Sequence, residues 1–416
     1  MVSTAPAIAH CARYRFATSI IIVIVGATLA AVVGRAQPSR LIPPEHELLM
    51  MKAIEHIDNG KIDSARVLLQ EGIRRFPSDP SFPYELAYIH YQLKEYREAR
   101  TILETLVEAP RSQPVFFQLL GNTHDLLGDP DKAIAVYKRG LERFPRSGPL
   151  YLELGVMAGA REEYATAVEY WEKGVEKAPD FPSNYFHAAR MFMATTERGW
   201  GMLYGELFLN IEPGSPRSAN TRNELYYAWN DAITTSGEGG GLKDGETSVA
   251  VALFDKLEVF ADSSKAMIVP FKFFLFRSFL VAAMPVVLSS DERLTIATLH
   301  GVRRRFIENW YADTATAAHF DIELFGRWRE LDNAGLLEAY DHMIFYTKET
   351  EAEVNAWSET NGSKLRDVTA WLRAHPIGGG RPRPFSRLTV GSVTMTQEEL
   401  DARSALKSTL DGDVVK

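Results

Sequence analysis

Residues 114–147 read PVFFQLLGNTHDLLGDPDKAIAVYKRGLERFPRS, and this stretch decides the fold. Phe117, Leu120, Gly121 and His124 fall at i, i+3, i+4 and i+7, the spacing of one face of a helix. Ala133 and Tyr137 repeat that spacing four residues apart. Between the two patterns lies Leu127-Gly128-Asp129-Pro130, a cluster of chain breakers. Pro145 closes the unit, because proline lacks an N–H and clashes with the preceding helical turn. The stretch therefore predicts two helices joined by a tight turn. Small residues, Gly121 and Ala133, stand where the helices approach, since larger side chains would wedge them apart. Tyr137 is expected to fill the space between this unit and its neighbour.

Outward from this unit the pattern recurs every 34 residues. Ala65, Ala99, Ala133 and Ala167 share one phase. Twelve residues later come Pro77, Pro145, Pro179 and Pro213, with Pro110 one place early. Twelve residues before each alanine position stands another small residue: Ala53, Ala87, Gly121, Gly155, Ala189. The copy after 147 repeats the reading as Tyr151-x-x-Leu154-Gly155, then Ala167-x-x-x-Trp171, then Pro179. This register resembles the tetratricopeptide repeat (TPR), a 34-residue helix–turn–helix. The resemblance implies an all-α superhelix with about five repeats at 46–79, 80–113, 114–147, 148–181 and 182–215. The end copies are degenerate: Lys52 replaces the usual leucine and Gly201 takes the alanine position, as capping units without an outer neighbour require. Pro83 suits a first helical turn.

The resemblance further implies a concave face lined by the first helix of each repeat. Its positions here are Met50, Ile54 and Ile57, then Tyr84, Tyr88 and Tyr91, then Gln118, Asn122 and Asp125, then Leu152 and Val156, then Phe186 and Arg190. Tyrosine offers a large apolar area and a polar tip, which suits it to gripping peptides. Tyr84, Tyr88 and Tyr91 lie at i, i+4 and i+7 on one face. A variant of the family clamps a C-terminal carboxylate with lysine, asparagine and arginine; of those positions only Asn122 matches, so that use is not expected. His56, His90 and His124 also recur at 34 residues, where the family usually has tyrosine, and are expected to pack between helices rather than to bind metal.

The chain has 416 residues, 46% hydrophobic and 24% charged, with a formal charge of −8. That apolar content excludes wholesale disorder, and 29 glycines with 21 prolines exclude a collagen-like chain. One cysteine excludes a disulfide framework and a cysteine-based zinc site. The acidic balance speaks against general nucleic-acid binding. Residues 1–36 contain no acid; Arg13 and Arg15 precede the apolar run Phe16–Val33. Two readings follow: a secretory signal cleaved after Ala36, or a retained single-pass anchor with the arginines in the cytoplasm. Both place the remainder on the periplasmic or cell-envelope side. Cleavage would remove three arginines and Cys11, taking the formal charge to −11.

Beyond a linker at 37–45 and the array at 46–235, residues 216–235 read as a sixth half-repeat. Thr234–Asp244 is rich in glycine and places a linker at 236–245; it lacks the Lys-Ser/Thr of a phosphate loop. Residues 246–376 are expected to form a helical C-terminal domain. Within it Ile268–Leu288 is expected to be a buried helix, because Lys272 and Arg277 make it a poor membrane span. Trp310, Trp328, Trp357, Trp371, Tyr340 and Phe345 are the candidate core. His300, Arg303, Arg304 and Arg305 read as a solvated helix face. The spacing in His319-x-Asp321-x-Glu323 spreads its side chains around a helix, and His342 beside Asp341 is an equally weak site. Residues 377–416 read as a mostly flexible tail.

No nucleophile elbow, zincin motif or paired-carboxylate motif appears. The expectation is therefore a non-enzymatic interaction scaffold of a bacterial cell envelope, without cofactor or metal, binding a protein or peptide in its groove. The alternatives are a self-associating architectural component, or an enzyme using His300, His319 and His342 within 246–375.

Overall fold

The computed structural model describes residues 44–195, 197–233, 293–378 and 386–390, Leu275 and Ala282, and the backbone of Phe260–Ala261, Met267–Pro270 and Ser392–Met395. The fold is all-α in class. Helix hairpins come first: α1 (Glu45–Asp58) with α2 (Ile62–Arg75), α3 (Ser81–Gln92) with α4 (Tyr96–Glu108), and α5 (Pro114–Leu126) with α6 (Pro130–Arg143). Then follow α7 (Gly148–Ala160) with α8 (Tyr164–Lys177), α9 (Pro182–Met193) with α10 (Arg198–Ile211), and the single helix α11 (Pro216–Ile233). The chain divides into two compact units, Met1–Asp79 and Pro80–Lys416. In the first, α1 and α2 bury Leu49, Ala53, Ala65 and Leu69 between them.

Local chemistry explains the hairpins. Each second helix stops just before its proline, α6 at Arg143 ahead of Pro145 and α8 at Lys177 ahead of Pro179. Proline also opens helices, at Pro114, Pro130, Pro182 and Pro216, where its missing N–H is no loss. Each tight turn needs one residue in the left-handed region, and that residue recurs at the same phase: Gly60 (φ 70°), Lys94 (φ 62°), Gly128 (φ 84°) and Glu162 (φ 63°). The residue after it closes the turn, as when Asp129 N–H donates to the His124 carbonyl at 2.9 Å.

The alanine register is the seam of each hairpin. Ala65, Ala99, Ala133 and Ala167 are all 0% exposed. Opposite them, a Cβ on Gly121 would lie 2.0 Å from the Tyr137 ring, and one on Gly155 would lie 2.1 Å from Trp171 Nε1. Tyr137 and Trp171 thus fill the space left by the glycine of their own repeat, and Trp171 also reaches the neighbour, its ring 5.2 Å from that of His187. Between repeats, Arg143 donates to the carbonyls of Val107, Ala109 and Pro110, and buried Asn184 donates to the Gly148 carbonyl at 3.1 Å.

After the array come α12 (Ile296–Ala312), α13 (Thr314–His319), α14 (Glu323–Asn333), α15 (Leu337–Ile344) and α16 (Glu351–Ala374). Thr295 and Asp313 cap α12 and α13 by accepting from Thr298 N–H and Thr316 N–H, which satisfies otherwise orphaned donors. Trp310, Trp328, Tyr340 and Phe345 are buried as expected, in one cluster that also contains Trp200, Tyr204, Leu207 and Trp229 of α10 and α11. The C-terminal helices therefore share the core of the last repeats. The expected linker at 236–245 lies outside the described residues.

A short antiparallel sheet joins β1 (Phe260–Ala261), β2 (Met267–Pro270) and, from far along the chain, β3 (Ser392–Met395), with Ile268 opposite Phe260 and Thr394. Met267–Pro270 is thus not the start of a helix. Ile268 and Val269 are β-branched, which suits a strand; Ile268 pairs on both sides and Val269 with Val393, while Pro270 closes the strand at its end. Of the remainder of that apolar stretch, only Leu275 and Ala282 are described, and both are buried. Ser386–Val390, inside the segment read as a mostly flexible tail, is packed onto the array through α17 (Arg387–Val390). Among the described residues no helix is long and apolar enough to cross a membrane.

Candidate peptide-binding groove

Within the second unit, consecutive first helices touch one another (α3 to α5, α5 to α7, α7 to α9, α9 to α11), while consecutive second helices approach less closely. The array therefore curves with α3, α5, α7 and α9 on its inner side. The sequence-predicted residues take different places on that side. Tyr84 is half-buried with its ring 5.3 Å from that of Phe116, and Tyr91 is half-buried, edge-on to Tyr96 at 5.7 Å. Tyr88 is only 6% exposed and its hydroxyl accepts from Gln92 Nε2 at 2.6 Å. It belongs to the core more than to the surface, so of the three tyrosines only Tyr84 and Tyr91 are half-buried. In the first unit, Met50, Ile54 and Ile57 are half-buried.

The centre of the inner face is polar. Gln118 Nε2 donates to Glu153 Oε1 at 2.8 Å, and the Tyr137 hydroxyl donates to Asn122 Oδ1 at 2.5 Å. Asn122 also hydrogen-bonds Glu153, and Asp125 beside them is exposed. Burial raises the Glu153 carboxyl pKa, the amides of Gln118 and Asn122 oppose that shift, and the charge of Asp125 adds to it. The Tyr137 hydroxyl is pushed far up by burial, with Glu153, Asp125 and Tyr91 contributing. These groups therefore form one electrostatic neighbourhood across α3, α5, α6 and α7. Glu153 stands outside the groove positions that the repeat phase marks, although it is the sole charged residue of an otherwise apolar helix.

Phe186 and Arg190 stand at the far end of this face. Arg190 is exposed and lies over the Phe186 ring at 5.6 Å. Phe186 also packs on Phe208 at 5.3 Å and is covered by Arg217 at 5.1 Å. Arg190 further favours the charged form of Glu224, whose pKa burial raises. Leu152 is half-buried and Val156 is 40% exposed.

The remaining candidates resolve into packing. His124 is buried, which lowers its pKa, and His90 Nδ1 contacts Glu95 Oε2 at 2.6 Å. Among the described residues no group of three or more His, Cys, Asp or Glu is placed to hold a metal. His300 contacts Asp341 at 2.8 Å, His342 stacks on Trp357 at 4.1 Å, and His319 meets the edge of Phe320 at 4.7 Å. Each histidine has a different partner. The expected solvated face of Arg303–Arg305 is corrected: Arg303 is 0% exposed, bonded to Glu206 and Asp341, while Arg305 donates to the Ala282 carbonyl. A run of cations in sequence points around a helix, so one member can enter the core while the next faces water.

Tandem antiparallel helix hairpins with a 34-residue phase and an inner face built from their first helices define a helical-repeat solenoid. Tetratricopeptide repeat family models match residues 56–122 and 114–157, and the chain is a tetratricopeptide-repeat protein over this stretch. It is 25% identical over 122 residues to the E3 SUMO-protein ligase RanBP2 of Homo sapiens and to the human RanBP2-like and GRIP domain-containing protein 3. That alignment covers 29% of this chain and spans only 4% and 7% of those proteins' lengths. Among solved structures, a thermophilic TPR protein of Thermus thermophilus is 19% identical, with 43% of this chain and 98% of that chain covered and a TM-score of 0.36. The pilF protein of Pseudomonas aeruginosa is 15% identical, with 43% and 97% covered and a TM-score of 0.29.

Proposed function

We propose that this chain is a non-enzymatic adaptor that holds a segment of a partner protein against the inner face of α3, α5, α7 and α9. The observation that carries this reading is the composition of that face. Half-buried Tyr84, Tyr91 and Phe186 supply apolar area, and Gln118, Asn122 and Asp125 supply hydrogen-bonding groups between them. An extended or helical peptide needs that combination, apolar anchors for affinity and polar groups for register. The repeat family itself is a protein-interaction scaffold.

The adaptor is further proposed to work on the outer side of a cytoplasmic membrane. The support is the sequence of residues 1–36, with its arginines, its apolar run and the small residues before Gln37. Fusing alkaline phosphatase after residue 45 reads this out: active fusions are expected, and inactive ones would remove the envelope placement.

The groove is tested by site-specific photocrosslinking in the native host. A photoreactive residue in place of exposed Val156 on the inner face is expected to trap a discrete partner. The same residue in place of exposed Lys138, on second helix α6, is expected to trap none. Combining Tyr84→Ala with Tyr91→Ala should abolish the adduct while circular dichroism stays unchanged. Equal trapping from Val156 and Lys138 positions would remove the inner face as the binding site.

A further inference from the structure

Charge on the array is sorted by helix. Over residues 80–181, the three first helices α3, α5 and α7 contain no lysine or arginine at all. Their only charged groups besides histidine are Glu85, Asp125 and Glu153. The second helices of the same repeats carry many cations, among them Arg97 and Arg100 in α4, Lys132, Lys138, Arg139 and Arg143 in α6, and Lys173 and Lys177 in α8. A chain of net charge −8 has no need of such sorting for solubility, since mixed signs on both faces serve equally well.

The sorting leaves the inner face of three consecutive repeats anionic. At its centre Asp125 is exposed and Glu153 is held half-buried by Gln118 and Asn122. Tyr91 stands 34 residues before Asp125, at the same phase of the preceding first helix, and is half-buried, so an aromatic ring and two carboxylates share one side of adjacent repeats. The first cation on this side is Arg190 of α9, one repeat further on. A carboxylate pair next to a tyrosine ring is complementary to a side chain with an apolar stem and a cationic head. The stem covers the ring, and the head reaches the carboxylates.

Resting on the adaptor reading above, we propose that the occupant of the inner face is a partner segment anchored by an arginine or lysine seated at Tyr91, Asp125 and Glu153. Arg190 bounds the basic part of the partner, because a second cation there meets like charge. Charge complementarity of this kind sets partner choice and register more than total affinity.

The probe is a library of random dodecapeptides displayed on phage, selected on the immobilised full chain and in parallel on the chain with Asp125→Lys. Asp125 is exposed, so this variant keeps the fold, which circular dichroism verifies. The unsubstituted chain is expected to enrich peptides containing Arg or Lys. A synthetic copy of an enriched peptide should bind the Asp125→Lys chain about tenfold more weakly, the scale of one charge-assisted hydrogen bond. Its affinity should also fall with added salt, and Glu153→Gln should weaken it in the same direction. Enriched peptides without Arg or Lys, lost on Tyr91→Ala but indifferent to Asp125→Lys, would overturn the cationic anchor and leave the groove reading standing. Peptides indifferent to both substitutions, or no enrichment at all, would overturn both.

Discussion

The guanidinium of Arg303 is wholly buried and donates to the carboxylate of Glu206, 97 residues earlier in the chain. Glu206 belongs to α10, the last second helix of the array, and Arg303 to α12 of the C-terminal helices. A second carboxylate, Asp341 in α15, accepts from the same guanidinium at 2.7 Å. Burial alone would lower the Arg303 pKa, but the two carboxylates outweigh it and the net shift is upward. Trp328 Nε1 and the Tyr340 hydroxyl complete the shell of Glu206 at 2.7 and 2.8 Å, and the Trp328 ring lies 4.5 Å from the guanidinium. The open end of the repeat stack is closed here by a buried polar network inside an aromatic core, in which both terminal nitrogens of Arg303 are bonded and its Nε has no hydrogen-bond partner.

Arg303→Met is expected to destabilise by about 3–5 kcal/mol, because it strands two buried carboxylates. Urea unfolding measures the loss. Adding Glu206→Gln and Asp341→Asn to that variant should recover a substantial part, since neutral groups cost less to bury. No recovery would assign the loss to packing of the guanidinium instead.

Gly121→Ala places a Cβ 2.0 Å from the Tyr137 ring and is expected to cost about 3 kcal/mol, at the upper end for overpacking. Tyr137→Leu in the same chain should relieve most of that penalty. The coupling between the two sites, read from a double-mutant cycle of melting curves, should be large.

Lys94 and Glu162 occupy the left-handed turn position that Gly60 and Gly128 fill elsewhere. Side chains there carry strain that glycine does not. Lys94→Gly and Glu162→Gly should each stabilise by about 1 kcal/mol, and Gly128→Ala should do the reverse. Denaturant midpoints at constant slope decide it.

His124 is buried with its Nδ1 lacking a hydrogen-bond partner, and burial lowers its pKa below 6.5; of the charges around it, Glu104 and Asp129 oppose the shift while Arg100 and Lys132 reinforce it. Protonation therefore favours the unfolded chain. Its contribution is complete above about pH 6.5 and declines as the pH falls from there to the lowered folded value. His124→Phe should flatten that part of the stability profile, measured by unfolding at about pH 7.5 and about pH 5.5. Parallel profiles for the two chains would contradict the assignment.

Arg387 ties the C-terminal segment to buried Glu172 of α8 at 2.9 Å, beside the Tyr204 hydroxyl. Arg387→Ala should release Ser386–Val390 and cost about 1–2 kcal/mol, reduced by the partial exposure of the arginine. Hydrogen exchange is the measure: faster exchange at Thr389 and Val390, with the hairpin α5–α6 unchanged.

Much of the array was legible in residues 46–235 because its contacts are local and periodic. Each repeat makes the same contacts with its own partner helix, so alanine, glycine and proline recur at one phase. The C-terminal half has no such period. Arg303 reads as a surface cation beside Arg304 and Arg305 until Glu206 and Asp341 are brought to it. Likewise Ile268 reads as helix until β3, more than a hundred residues away, supplies its pairing partner. Of the inner-face residues, Gln118, Asn122 and Asp125 were placed by phase alone. Tyr88 turned inward through the packing of its own helix, and Glu153 escaped notice because its importance lies in neighbours from another repeat.

By itself the sequence determined the hairpins, their length, their turns and the side of each helix that faces its partner. Those features follow from steric rules acting within about thirty-four residues. Tertiary structure alone decided which charges are buried, which tyrosines remain on the inner face and how the last repeat is capped. Burial of a charge is settled by partners, and those partners come from distant parts of the chain.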